Sequence, residues 1–433
     1  MTSNTDNQTV LSERGFNGCM VSNRATCGTN SNPLFKLMCA VLSDGYDVKS
    51  NPDGIISLGV AENYLSHDII SNFFSKNSQC LTSMLTYGTG FSGSPELKLA
   101  LASFYKKYFK ARDISAENIL IGNGCTSLLD LLAFALCDSG DGILIAKPLY
   151  GGFCNDLSGR ANVEVVDVEL DSLDEMFVES AIAKYEAAMD KAEKNGVSVK
   201  ALILCQPHNP LGKCYSEEVI KKYMAFCQRR KIHLISDEIY GLSTFERPGA
   251  IPFVSALSID TNGLIDANKV HVVHGASKDF CANGLRIAAC ITRSDEVMKT
   301  IGNVCMFTSA SSFSQHLWLS ILNDTEFLES YISTNREKLG RAYERCTKIL
   351  EEHKIPFYRG GNAGFFVYVD LSQYLPPRRP GQKEEVERER ELTENMLKSG
   401  IYLSPGEVMM APAGVYRLTF SVPEDILDKG LER

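Results

Sequence analysis

The chain has 433 residues, of which 44% are hydrophobic and 22% charged, and its formal net charge is −9. That length exceeds what one hydrophobic core usually organises, so a large domain with a smaller companion is expected. The negative balance, without any Lys/Arg-rich block, argues against a nucleic-acid partner, and no apolar run is long enough to span a membrane. None of the fourteen cysteines is spaced C-x-x-C. Several, such as Cys137, Cys205, Cys227 and Cys290, sit in or beside apolar runs and read as reduced, buried thiols rather than disulfides or metal ligands. The N-terminal MTSNTDNQTVLSERGFNG lacks the apolar core of a signal peptide, so a soluble, cytoplasmic protein without a metal is expected.

In chain order, the first fifty or so residues read as an irregular arm with one short helix over 34–42. From about residue 96 to 290, short apolar strands alternate with helical stretches. The strands are expected at 118–121, 143–146, 163–168, 201–205, 233–236, 270–274 and 287–291, with helices such as 127–137 and 216–230. Near-continuous apolar strands separated by helices predict a mostly parallel, seven-stranded sheet covered on both faces. A helical stretch follows at 315–350, then a strand at 363–370, a proline-broken loop at 376–382, a charged helix at 384–399 and a strand at 415–420. The fold class is therefore α/β with a smaller α+β domain. The division expected is an arm contributing to the small domain (1–64), a large domain (65–320) and a small C-terminal domain (321–433).

Five motifs each follow a predicted strand. His271–Arg286 reads HVVHGASKDFCANGLR. A lysine placed at a strand's carboxyl end, where ligands collect in open α/β sheets, can be desolvated so that its amine attacks an aldehyde. Ser277 and Arg286 would offer donors to a phosphate. A lone Ser-Lys-Asp also suits a solvated loop. Asp237 ends the strand HLIS-D, where a carboxylate can keep a pyridine nitrogen protonated, with Tyr240 three residues on; Glu238 reads as a helix cap or surface residue. Asn209 lies between Pro207 and Pro210, which stiffen it, and His208 reads as a turn residue. Gly122-Asn123-Gly124-Cys125-Thr126-Ser127 places glycines before an apolar helix whose free N–H groups suit a phosphate. Its third glycine is missing, which disfavours a dinucleotide-binding oxidoreductase. Tyr150, after ILIAKPL, could stack on a flat ring.

This series, Gly-Cys-Thr, Pro-Leu-Tyr, Asn-Pro-Leu-Gly, Asp-Glu-Ile-Tyr, Ser-Lys and Arg, resembles fold-type-I pyridoxal-phosphate (PLP) enzymes, the aspartate-aminotransferase superfamily. Within it, NPDGIISLGVAEN, FSGSPELKLALA, SSFSQHL, NAGFFVYVDL, YLSPGE and YRLTF resemble 1-aminocyclopropane-1-carboxylate (ACC) synthases and their fungal relatives. The resemblance runs from about residue 30 to the C-terminus. It implies the PLP-dependent transferase fold and PLP as cofactor, with Lys278 as the Schiff-base lysine that later moves protons at Cα. It further implies Asp237 at the ring nitrogen, Asn209 and Tyr240 at the phenolate oxygen, and Tyr150 stacked on the ring. Cys125, Thr126, Ser277 and Arg286 would hold the phosphate, while Arg417 would clamp the substrate carboxylate. Glu62 matches an acid near the sulfonium of S-adenosylmethionine (SAM).

The chain departs from that pattern at two places. Phe91 stands where ACC synthases carry a tyrosine that reaches a neighbour's phosphate across a dimer, and Tyr87 is the candidate replacement. Gly275 removes one phosphate hydroxyl from the family's S-x-S-K. The expected function is a homodimeric PLP enzyme of secondary metabolism. It would act on an α-amino acid through an external aldimine and Cα deprotonation, with a SAM-like or sulfur-containing substrate. An aminotransferase using a 2-oxo acid is the second reading, and a non-catalytic PLP-binding relative a third.

Overall fold

The computed structural model describes residues 33–88, 90–378 and 384–433. The N-terminal segment read for targeting lies outside these residues, as do positions 379–382 of the proline-broken loop. The first described element is the expected short helix, Pro33–Ser43. A two-residue strand, β1 (Ile56–Ser57), comes next. It is too short to leave a periodic signature and went unpredicted.

The central sheet contains β2 (Ile119–Gly122), β3 (Gly142–Ala146), β4 (Glu164–Val168), β5 (Val199–Cys205), β6 (His233–Asp237), β7 (Val270–Gly275) and β8 (Ala288–Thr292). They lie in the order β2-β8-β7-β6-β5-β3-β4. Pairings from β7 through β4 are parallel, whereas β8 runs antiparallel to both β2 and β7. β2, β3, β7 and β8 are buried at every position, which is why they read as mainly apolar runs, although β7 also buries His271 and His274. The segment joining β7 to β8 forms only single helical turns and no crossover helix, and β8 turns back antiparallel beside β7. That return leaves the Lys278 turn and Arg286 above the carboxyl edge of the sheet.

Beyond the sheet, the expected long helical stretch is two helices, Ser312–Asn323 and Thr325–Glu352. The break falls at Asp324, whose carboxylate accepts from Phe327 N at 3.0 Å and caps the second helix. The C-terminal part adds β9 (Phe366–Asp370), β10 (Ile401–Tyr402), β11 (Ser404–Pro405) and β12 (Val415–Thr419). β11, β12 and β9 form an antiparallel sheet, and β10 pairs in parallel with β1. Ile56 and Leu58 thereby share one core with Phe365, Leu418 and Phe420. Fully burying side chains of this kind is worth about 2 kcal/mol each.

The strand expected from residue 363 begins only at Phe366. Gly364 has a positive φ of 66°, and the backbone just before β9 is used to bind two loops of the large sheet. Asn362 N and Ala363 N donate to Gly212 O at 2.7 and 2.8 Å, while Gly364 N donates to Ser243 O at 2.8 Å. Those two loops follow Asn209 and Tyr240.

Candidate active site

β7 ends at Gly275, and a single helical turn, Ala276–Asp279, presents Lys278. The next residue fixes this turn. Asp279 accepts from Leu242 N at 2.8 Å, Ser243 N at 3.0 Å and Ser243 Oγ at 2.7 Å, and it meets His274 Nε2 at 3.0 Å. The lysine turn and the loop after Tyr240 are therefore one hydrogen-bonded unit. Lys278 Nζ donates to Ala61 O. Burial, and then the neighbouring Arg417 charge, bring its amine down to about 8, although Glu62 pulls the other way. Capture of an aldehyde needs the neutral amine. The rate at which cofactor-free protein takes up PLP is expected to rise with pH and level off above about 8; absorbance-monitored reconstitution between pH 6 and 10 checks this. A climb continuing toward the range of an ordinary lysine would contradict it.

Asp237 ends β6 and is buried, accepting from Ile239 N at 3.2 Å. Burial raises its carboxyl to about 7, against the pull of that N–H and of Lys278. Glu238 is neither a surface residue nor only a cap. It has no exposed surface, and its carboxylate accepts from Ser236 Oγ at 2.9 Å, Ser255 Oγ at 2.5 Å and Ala256 N at 2.7 Å. Two of these donors lie 17 and 18 residues along the chain, so no local pattern foretold a buried glutamate. Tyr240 is buried edge-on against Phe365 and Phe366, with ring centroids 5.2 and 5.4 Å apart.

After β5, Gln206 clamps the Asn209 loop. Its side chain accepts from Tyr215 N at 2.9 Å and donates to Val254 O at 3.0 Å. His208 is packed between Phe177 and Tyr215, and burial lowers its imidazole to about 3, in keeping with a turn residue. Asn209 Oδ1 accepts from Arg417 Nη1 at 3.0 Å, and Arg417 Nη2 donates to Gly59 O at 2.8 Å. Arg417 is buried, and its Nε has no partner among the described residues.

The glycine motif forms a cup ahead of the helix Cys125–Leu136. Gly124 has φ 103° and ψ 163°, a backbone region essentially reserved for glycine. A Cβ there would stand 2.5 Å from Arg286 Nη2, so the glycine lets the guanidinium close over the helix terminus. Arg286 is itself left-handed at φ 49°, and its Nη1 donates to Asn283 O at 3.1 Å. Tyr150 lies flat against Gly152, where a Cβ would come within 2.3 Å of its ring.

These loops enclose a cavity of about 220 Å³. Cys125, Thr126, Tyr150, Asn209, Asp237, Tyr240, Ser277, Lys278 and Arg286 all line it. The remaining candidates stand apart. Glu62 flanks the mouth, accepting from Tyr64 OH at 2.6 Å and Asn283 Nδ2 at 3.2 Å. Arg417 reaches the site through Asn209. Tyr87 does not enter the cavity of its own chain. It is 83% exposed, with its ring 5.6 Å from Phe91, because the segment carrying both rings lies on the outer surface. Sequence reasoning missed Asp156, Asn283 and Ala61, which also line the cavity. Ala61 and Asn283 lie inside quoted motifs without a chemical signal of their own, Asp156 lies in none, and Ala61 contributes only a carbonyl.

The family model for aminotransferase class I and II matches residues 54–433. The chain belongs to that family. It is 34% identical over 433 residues to mouse "Probable inactive 1-aminocyclopropane-1-carboxylate synthase-like protein 2", covering 97% of this chain and 72% of that protein. It is 31% identical over 422 residues to Arabidopsis thaliana "1-aminocyclopropane-1-carboxylate synthase 7" (93% and 91% covered). Against Aspergillus fumigatus "Probable aminotransferase gliI" it is 31% identical over 393 residues (87% and 88%). In fold it resembles a double mutant of Thermus thermophilus aspartate aminotransferase, with a TM-score of 0.74 at 22% identity, covering 96% of this chain and 98% of that one. Class I and II aminotransferases are PLP-dependent enzymes, and this chain is one of them.

The residues present suit that cofactor. The cup that a Cβ at Gly124 would fill brings together an arginine, two side-chain hydroxyls and the N–H groups of a helix terminus, a donor set for a phosphate. At the other end lies the buried carboxyl of Asp237, with few donors of its own and room for a protonated ring nitrogen.

Proposed function

We propose that the chain acts on an α-amino acid by removing its Cα proton, in the manner of ACC synthase-like enzymes, and that its substrate is SAM-like or contains sulfur. Cys125 and Thr126 N–H groups, Ser277 and Arg286 hold the phosphate. Asp237 keeps the ring nitrogen protonated, Asn209 and Tyr240 meet the phenolate oxygen, and Tyr150 covers the ring face. Bound there, PLP supplies an electron sink for charge developing at Cα. Arg417 takes the substrate carboxylate with its planar fork, already pre-set by Asn209 and Gly59. Lys278, its amine neutral above about pH 8, takes the Cα proton and returns it elsewhere.

The observation that supports a sulfonium or sulfur-bearing substrate is Glu62. Its carboxylate is fixed by Tyr64 and Asn283 near enough to Lys278 to act on that amine's charge. A cationic substrate group could lie against it, where partial exclusion of water strengthens the attraction. Transamination to a 2-oxo acid is the second reading, favoured by the fungal relative's name. We also infer a homodimer in which Tyr87 serves the neighbouring site, and a division into 1–64, 65–320 and 321–433. Incubation with SAM, cysteine thioethers, and common amino acids with 2-oxoglutarate separates the two reactions. The expected result is loss of a sulfur leaving group without any keto acid. Glutamate formation that depends on 2-oxoglutarate, without sulfur release, would sink the substrate assignment.

A further inference from the structure

One buried acid in the cavity has no task in the chemistry above. Asp156, on the short helix Gly152–Ser158, is 6% exposed and lines the cavity together with Asp237 and Thr126. The Thr126 hydroxyl hydrogen-bonds its carboxyl, yet Oδ2 is buried with no partner among the described residues. A surface acid would hydrate that oxygen, and a structural one would satisfy it with backbone donors. Among charged groups, Asp237 acts on it most strongly. Two buried carboxylates facing one cavity repel unless a proton or a cation stands between them.

Other groups act on this pair. Lys278 favours ionisation of Asp237, and the charges of both acids act on Cys125 and Tyr150. Asp130 also faces Asp156 but is already paired with Arg160. The three cations have other partners: Lys278 on Ala61 O, Arg286 on Asn283 O, and Arg417 on Asn209 and Gly59. Among the described residues, no cation is hydrogen-bonded or ion-paired to Asp156 or Asp237.

We propose that Asp156 is a positioning residue that acts through Asp237. The two carboxyls share one proton in the cofactor-free protein and release it when a protonated pyridine ring takes its place. The O–H bond of the pair breaks, the proton passes to water, and two carboxylates then face the ring's positive charge. Asp156 in this way tightens the hold of Asp237 on a charged ring. The proposal rests on the assignment of Asp237 to the ring nitrogen. Burial, with Asp237 alongside, raises Asp156 to about 7, which places the exchange within reach of measurement.

The test is titration calorimetry of the full cofactor-free chain with pyridoxine 5′-phosphate at pH 6.5, in buffers of different ionisation enthalpy. This probe has the ring and phosphate but no aldehyde, so Lys278 is not consumed. Wild-type protein is expected to release on the order of half a proton or more beyond what inorganic phosphate releases under the same conditions. Asp156→Asn is expected to lose most of that excess and to bind the probe up to about tenfold more weakly. Equal release from the probe and from inorganic phosphate in the wild type overturns the proposal without recourse to a variant. Undiminished excess release in Asp156→Asn, where Asp237→Asn removes it, overturns the role of Asp156 alone. Undiminished release in Asp237→Asn overturns the placement of the ring nitrogen.

Discussion

Replacing Lys278 with alanine is expected to remove the visible absorbance of the lysine-bound cofactor and to lower turnover by at least about a thousandfold. The amine is the group aimed into the cavity from the β7 turn, and among the described residues no second lysine lines that cavity. Stability should change little. The turn is held by Asp279, with its four partners, rather than by the lysine's bond to Ala61 O. Absorbance spectra and a thermal melt of the same sample give both readings. An alanine variant that keeps its colour after dialysis, or turns over within tenfold of wild type, would remove Lys278 from its assigned role.

The second large effect is expected at Arg417. Its guanidinium is buried on Asn209 Oδ1 and Gly59 O, and Nε has no partner among the described residues, which leaves hydrogen-bonding capacity for a carboxylate. Truncating one partner of a buried, charge-assisted pair costs about 2–5 kcal/mol, roughly 30- to several-thousandfold in kcat/KM. Arg417→Leu should show this loss for every α-amino acid substrate, mainly through KM. Arg417→Lys should recover little, because a point charge cannot reproduce the fork. Amines without a carboxylate should be nearly indifferent to either change. A loss of equal size for such amines would mean that Arg417 organises Asn209 instead of binding substrate.

Most of the central sheet could be read from the chain because strands buried on both faces are largely apolar, as β2 and β3 are throughout. Nine residues placed around a cofactor lie around one cavity for a related reason. Each follows a strand, and parallel strands deliver their carboxyl ends to a single edge. Long-range partnership was invisible. Glu238 reads as a surface acid until Ser255 and Ala256 arrive beside it. Asp156 lies in the short helical stretch GFCNDLS, where nothing local separates it from a solvated acid. The direction of β8 is set by its antiparallel pairing with β7, which apolar periodicity does not reveal. β1 acquires meaning only by pairing with β10, more than three hundred residues later.

That small pairing sets a distance in the site. Immediately after β1, Gly59 offers its carbonyl to Arg417, and two residues further on Ala61 offers its own to Lys278. One short stretch of main chain thus acts as a ruler between the lysine and the arginine. The ruler is itself clamped: a Cβ on Gly59 would lie 2.5 Å from the Tyr402 ring and 2.7 Å from Ser404 N. A slip of one residue between β1 and β10 would shift both marks together, moving the two basic groups out of step with the sheet that carries the rest of the site.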